Sequence, residues 1–256
     1  MKLFALLLCL PLATLAAPPA ELAIALEYLR DQRSYSWEMI NADPGAAQEI
    51  QTFSGSVVSS MPRPRVVNLK GTIDRRGDIF LQREWSDGLQ LDTWITAGGA
   101  TVTRTPEGWM TAQEILTALA EERLREGGPG PRLLWLRRAD RPQFPKPHEE
   151  LGGLLKASTP FEDLGDSTYR IRGRASAGQY ADEDRGYNVV MTLRVSGGVV
   201  RDYEIEIEGA DAIRQAGVKI PIKEHHIVVL TYVAVSQVNV PPEARMKLET
   251  RPSADR

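Results

Sequence analysis

The clearest pattern in the chain is an alternation of apolar and polar residues between positions 78 and 105. It predicts two strands joined by a turn at Ser86-Asp87-Gly88, and a Gly98-Gly99 turn that starts a third strand. Period-2 alternation with Asp-Gly at the bend is a strong hairpin signal. One parity forms an apolar row that we expect to face the core: Ile79, Leu81, Trp85, Leu89, Leu91 and Ile95.

Arg83 is the exception in this row, because it lies on the inward parity between Leu81 and Trp85. A guanidinium buried alone costs free energy. One explanation is structural: the side chain reaches water from the rim of the sheet, or pairs with a glutamate on a helix. The other explanation is functional and depends on the resemblance given below.

The same alternation predicts strands at 35–40, 66–73, 168–174, 187–195, 199–208 and within 220–239. Apolar residues at i, i+3, i+4 and i+7 predict amphipathic helices over 20–32 and 111–126. The second helix begins with a capping box formed by Thr111 and Glu114. We expect residues 106–165 to be helices and loops laid over the sheet, with shorter helices near 132–138 and 149–156.

The first 16 residues have the organisation of a secretory signal. Lys2 supplies the positive region, residues 3–12 form a short apolar run, and small residues favour cleavage after Ala16. Cys9 is the only cysteine and follows Leu8, which does not fit a lipidation signal. The expected product is an exported, soluble domain over 17–248, in the periplasm or secreted, followed by a polar tail at 249–256. No later run approaches the length of a transmembrane segment.

Composition and motifs narrow the function further. The formal net charge is -3 and basic residues form no run along the chain, which disfavours a nucleic-acid partner. Hydrophobic residues at 42% and charged residues at 25% favour an ordinary globular domain. No hydrolase, nucleotide-binding or dinucleotide pattern occurs, and His148, His225 and His226 lack zinc-site spacing. The sequence therefore predicts no enzyme activity, no metal and no cofactor.

The order of elements resembles the LolA/LppX-like family of periplasmic lipoprotein carriers. The resemblance is carried by the N-terminal segment 20–39, the hairpins at 86–88 and 197–198, and a closing strand that ends at 238–243. It implies an α+β fold in which a strongly curved antiparallel sheet forms a half-barrel. It also implies that helices cover the concave face and leave a hydrophobic cavity for acyl chains.

The resemblance implies a function that the residues alone do not show. We expect a monomer that binds a lipid or the acyl chain of a lipoprotein against the apolar row. Arg83 would then control ligand entry, as an interior arginine does in carriers of this family, or bind a lipid headgroup. Trp109, between a turn and a helix, is a candidate lid residue. The alternative is an interaction or sensor module of the same fold, with a closed core, an envelope protein as partner and no cargo.

Overall fold

The computed structural model describes residues 18–32, 34–42, 49–51, 57–59, 65–124, 130–140, 146–156, 161–176, 186–213 and 218–249. The predicted signal over 1–16 lies outside the described residues, and so does the predicted tail beyond Glu249. None of the helices within the described ranges is long and apolar enough to cross a membrane.

The described residues form five α-helices and thirteen β-strands. The helices are α1 (Ala20–Asp31), α2 (Ala112–Leu124), α3 (Pro131–Ala139), α4 (Pro147–Lys156) and α5 (Pro242–Glu249). The strands are β1 (Tyr35–Asn41), β2 (Glu49–Gln51), β3 (Val57–Ser59), β4 (Val66–Ile73), β5 (Ile79–Trp85), β6 (Gln90–Ile95), β7 (Thr101–Thr105), β8 (Gly108–Thr111), β9 (Phe161–Gly165), β10 (Thr168–Ser176), β11 (Gly186–Ser196), β12 (Val199–Ile213) and β13 (Val218–Thr231).

Eleven of these strands form one antiparallel sheet in the order β8-β7-β6-β5-β4-β1-β13-β12-β11-β10-β9, and β2 pairs with β3 separately. The predicted α+β class with a large antiparallel sheet is therefore confirmed. The sheet ends in two edge strands, β8 and β9, and is neither closed nor strongly curled. The structure therefore supports an antiparallel sheet with helices packed on it, but it does not support the half-barrel form of that sheet.

The local signals in the sequence correspond to observed contacts. The turn glycines Gly88 and Gly99 have φ angles of 81° and 83°, a region that favours glycine. The capping box is present: the Thr111 N–H donates to Glu114 at 2.7 Å, and the Glu114 N–H donates to the Thr111 hydroxyl at 3.2 Å. These bonds satisfy amide groups that the first turn of α2 leaves without helical partners.

Three elements differ from the expectation. Strands β8 and β9 lie inside the 106–165 segment, which was predicted to contain only helices and loops. Both are short edge strands, whose conformation depends on pairing with β7 and β10 rather than on their own pattern. Helix α5 begins at Pro242, in the segment where the closing strand was predicted to end.

The core has three parts, of which two lie on one face of the sheet and the third lies on the opposite face. Helices α1 and α4 pack on one face, over β1 and the β11–β13 strands. Helices α2 and α3 pack on the same face farther along, over Trp85 and Leu91. Helix α5 and the segment before it pack on the opposite face, where Val102 and Trp94 lie. The alternation of side chains along each strand produces this division.

Candidate functional site

Arg83 lies on the inward face of β5, where the alternation places it. Only 2% of its surface is exposed, so it does not reach water from the rim of the sheet. Its neighbours across the strands are Leu69 on β4 and Leu91 on β6, both buried. The arginine is thus one of the largest fully buried side chains of the protein.

Hydroxyl and carbonyl groups surround this guanidinium. Its Nη2 donates to the Thr93 hydroxyl at 2.6 Å, and that oxygen lies 3.1 Å from the Thr103 hydroxyl. Its Nη1 donates to the Arg138 carbonyl at 3.5 Å, a long contact between β5 and α3. The guanidinium carbon is 5.3 Å from the centre of the Trp85 ring, within cation–π distance.

Arg83 carries its charge at neutral pH despite this environment. Burial lowers the pKa of Arg83 to about 10, and the negative charge of Asp92 acts in the opposite direction. A positive charge therefore lies within the core, directly behind Trp85. Such a charge favours polar or anionic groups in its surroundings.

A cavity of about 540 Å³ lies beside Trp85, between the sheet and helices α2 and α3. This volume is within the usual range for small-molecule sites. One part of the lining consists of three apolar residues from β4, β5 and α2. The other part consists of charged residues from α2, from α3 and from the position that follows α3. The described lining residues are Val66, Trp85, Leu119, Arg123, Arg137, Arg138 and Asp140.

Arg138 connects α3 to the turn between β5 and β6. Its two terminal nitrogens donate to the two carboxylate oxygens of Asp87, each at 2.9 Å. This bidentate hydrogen bonding lowers the pKa of Asp87. The Arg138 guanidinium also lies 5.7 Å from the Trp85 ring centre, so two arginines contact one indole. Trp85 is therefore held in position at the cavity wall.

The other residues of the predicted row do not share this cavity. Ile79 and Leu81 belong to the core under α1 and α4, and Ile95 packs against that core. Leu91 belongs to the core under α2 and α3, and Leu89 packs against it. The row is thus continuous along the sheet, but helices fill most of it, and only Trp85 borders the cavity.

Trp109 lies on the other face of the sheet. In β8 it is the partner of Arg104, and it packs with the cluster that contains Trp94 and Val102. Its neighbour Met110 packs instead against the core under α2 and α3. The structure therefore separates Trp109 from the row with which the sequence analysis grouped it, since adjacent strand residues face opposite sides.

Several lining residues were not singled out from the sequence. Leu119, Arg123, Arg137, Arg138 and Asp140 come from two helices and form no linear motif. One signal was present: Arg123, Arg137 and Arg138 lie in the last turns of their helices. Basic residues there are favourable for the helix itself, so the signal does not identify a site by itself.

A second buried polar cluster attaches α4 to the sheet. Tyr35 Oη lies 2.6 Å from His148 Nδ1, and the Tyr203 hydroxyl donates to Glu150 at 2.7 Å. Burial lowers the pKa of His148 and raises the pKa of Glu150, although the Tyr203 hydrogen bond opposes the second shift. Both tyrosines are fully buried in the core under α1 and α4. These two contacts hold α4 against the sheet.

Metal binding finds no support in the described part of the chain, where no three His, Cys, Asp or Glu side chains lie close enough to hold an ion. His225 and His226 are adjacent on β13, and each lies near a different glutamate, Glu204 at 3.8 Å and Glu224 at 3.5 Å. The chain matches no family model and no curated protein.

Proposed function

We propose that this protein is exported to the cell envelope and binds an apolar ligand, a lipid or the acyl chain of a lipoprotein, without catalysing a reaction. The observation that carries the proposal is the cavity of about 540 Å³ between the sheet and helices α2 and α3. The ligand would lie against Trp85, with its chain between the strand wall and Leu119.

The apolar part of the lining suits a hydrocarbon chain. Val66 and Trp85 are direct partners across β4 and β5, and Leu119 comes from the helix above them. Transfer of hydrocarbon from water to such a surface gains about 25 cal/mol for each Å² that is buried. Trp85 adds a large aromatic surface whose orientation two guanidiniums fix, so little side-chain entropy is lost when a ligand binds.

The resemblance to LolA/LppX-like carriers agrees with this proposal in outline. It implies a cavity between an antiparallel sheet and the helices that cover it, and helices α2 and α3 cover the sheet here. The cavity is smaller than the resemblance implies, because α1 and α4 cover the part of the apolar row that contains Ile79 and Leu81. We therefore place the ligand at the Trp85 end of the row only.

An interaction or sensor module without cargo is the second candidate. It is favoured by the dense packing of the remaining row, in which Ile79, Leu81 and Leu91 have exposures of 6%, 3% and 0%. In that case the cavity would hold water, and an envelope protein would bind elsewhere on the surface. The two candidates differ in whether the purified protein carries lipid.

Native mass spectrometry of the full chain, produced with its own leader, distinguishes them. We expect a bound lipid mass that organic extraction removes, and displacement of the neutral probe N-phenyl-1-naphthylamine by that lipid. Val66→Trp should fill the cavity and abolish probe binding, while Leu116→Trp should not, because Leu116 lies on the exposed side of α2. A folded wild-type protein that binds neither lipid nor probe would contradict the proposal.

A further inference from the structure

Three arginines from two helices converge on the cavity. Arg123 lies in the last turn of α2, and Arg137 and Arg138 lie in the last turn of α3. Asp140 is the only carboxylate among the described lining residues. We propose that this rim binds the phosphate of an anionic lipid headgroup, so that the cavity selects negatively charged amphiphiles over neutral ones. The inference rests on the proposed function and specifies its ligand class.

Helix stability explains only part of this arrangement. A basic residue in the last turn of a helix interacts favourably with the partial negative charge of that end. A basic side chain can point in several directions from the last turn of a helix and still have this effect. Helix stability alone therefore does not require the arginines of α2 and α3 to lie at the same cavity. Their convergence beside an apolar wall is the observation that points to a ligand with both an anionic group and a hydrocarbon part.

The three guanidiniums are not equivalent. Arg138 already uses both terminal nitrogens on Asp87, and its position against Trp85 makes it part of the wall. Arg123 and Arg137 are exposed, and neither forms an ion pair with another residue in the described ranges. By contrast, Arg132 of α3 pairs with both Glu107 and Glu122.

Arg123 and Arg137 are therefore the groups available to an incoming anion. Guanidinium groups bind phosphate through paired N–H donors in a planar arrangement, which is stronger and more specific than a single ammonium contact. Arg83 lies behind Trp85 and adds a further buried positive charge near the site. A lipid phosphate at the rim would place its acyl chain toward Leu119 and Val66.

The test compares ligands with one acyl chain and different headgroups. Oleoyl lysophosphatidic acid, which is anionic, and monoolein, which is neutral, are titrated against the full chain by displacement of N-phenyl-1-naphthylamine. We expect the anionic lipid to bind about tenfold more tightly, because its phosphate gains charge-assisted hydrogen bonds. Raising the salt concentration should reduce this preference, since exposed charges are screened.

Two double variants locate the effect. Arg123→Gln/Arg137→Gln should bring the affinity for lysophosphatidic acid down to the affinity for monoolein measured in the same variant. The control, Arg201→Gln/Arg245→Gln, removes the same charge from exposed positions on β12 and α5 and should retain the preference. A preference that survives the first variant, or that both variants remove equally, would overturn the inference.

The remaining outcomes separate this inference from the proposed function. Equal binding of both lipids by the wild type overturns the headgroup inference and leaves the apolar-ligand proposal intact. Binding of neither lipid overturns both. Competition by inorganic phosphate at low millimolar concentration, lost in Arg123→Gln/Arg137→Gln, supports the anion site and shows that the phosphate is recognised without the chain.

Discussion

Two helical layers cover the same face of the sheet, and they are built differently. Under α1 and α4, buried leucines and tyrosines fill the space, and Tyr35 and Tyr203 bind polar groups of α4. Under α2 and α3, the helices lie on Trp85 and Leu91 and leave the cavity beside them. The first layer is thus closely packed on the sheet, while the second leaves a cavity between its helices and the sheet.

The polar residues of the two layers show the same difference. In the α1–α4 layer, His148 and Glu150 have partners inside the protein and are oriented toward the sheet. In the α2–α3 layer, Arg123 and Arg137 lie at the cavity rim and are exposed. A polar group whose hydrogen bonds are satisfied internally stabilises one arrangement, whereas an exposed charge beside a cavity is available to a partner.

The largest expected difference between the two layers is the loss in free energy of unfolding when a buried leucine is replaced by alanine. Leu29→Ala on α1 should lower the free energy of unfolding by about 4 kcal/mol, and Leu119→Ala on α2 by about 2 kcal/mol. Leu29 is 1% exposed within the packed core, while Leu119 already borders a cavity and has fewer contacts to lose. Urea unfolding measures both values. An equal or greater loss for Leu119→Ala would show that the two layers are packed alike.

The next largest expected effect is the loss of stability when a methyl group is added in the closely packed centre of the sheet. A methyl group added at Gly71 would overlap the indole ring of Trp37, so Gly71→Ala should cost about 2 kcal/mol. Gly98→Ala is the control, because its nearest new neighbour is the Thr96 hydroxyl at 3.8 Å. Urea unfolding of the two variants, together with near-ultraviolet circular dichroism, reports stability and ring movement. A neutral Gly71→Ala would show that Trp37 can move freely.

Arg83→Met separates stability from ligand binding. Methionine has a similar length but leaves the buried Thr93 hydroxyl without its donor, so we expect the free energy of unfolding to fall by about 1–2 kcal/mol. Loss of the guanidinium against Trp85 should weaken N-phenyl-1-naphthylamine binding severalfold, because the ring loses a positioning contact. Gln82→Met, at the neighbouring exposed position, is the control. Unchanged probe binding in a folded Arg83→Met protein would assign Arg83 to the core alone.

The smallest effect concerns pH and the α1–α4 layer. Burial lowers the pKa of His148 in the folded protein below the usual value of 6.5, so the unfolded chain binds this proton more readily. The stability that His148 contributes is therefore present above about pH 6.5 and decreases as the pH falls. Glu150, whose pKa is raised, contributes in the opposite direction: its stability is present at low pH and decreases above about pH 4.5.

His148→Gln tests this linkage, because glutamine keeps a hydrogen-bonding group and does not titrate. The free energy of unfolding, measured at intervals between pH 5 and pH 8, should rise less steeply with pH in the variant than in the wild type, because the opposing contribution of Glu150 remains. The other groups that titrate in this range, including His226, are unchanged in both proteins. Identical slopes would show that His148 does not contribute.

Local chemistry made much of this fold predictable from the sequence. The Asp87-Gly88 turn, the Thr111–Glu114 capping box and the inward position of Arg83 depend on neighbouring residues, and each was predicted correctly. Strand β8 and helix α5 depend on tertiary contacts: β8 is a four-residue edge strand, and α5 buries only Ala244 fully. Their own apolar patterns are too short to indicate either element.

The candidate site was less predictable for the same reason. Trp85 was identified because strand parity places it on the inner face, but the cavity also needs Leu119 and Arg137 from separate helices. No spacing in the sequence brings these residues together. Trp109 was predicted to lie between a turn and a helix, but it lies in strand β8, and its pairing with Arg104 of β7 determines the face that it occupies.

Contact between an acyl chain and Trp85 tests the central claim most directly. A monoacylglycerol with a dibrominated chain quenches tryptophan fluorescence on contact, and the protein can be titrated with it as wild type, Trp85→Phe and Trp94→Phe. Trp94 lies on the opposite face of the sheet and serves as the control. We predict quenching in the wild type and in Trp94→Phe, and loss of the larger part of it in Trp85→Phe. Equal quenching in all three folded proteins would contradict a ligand beside Trp85.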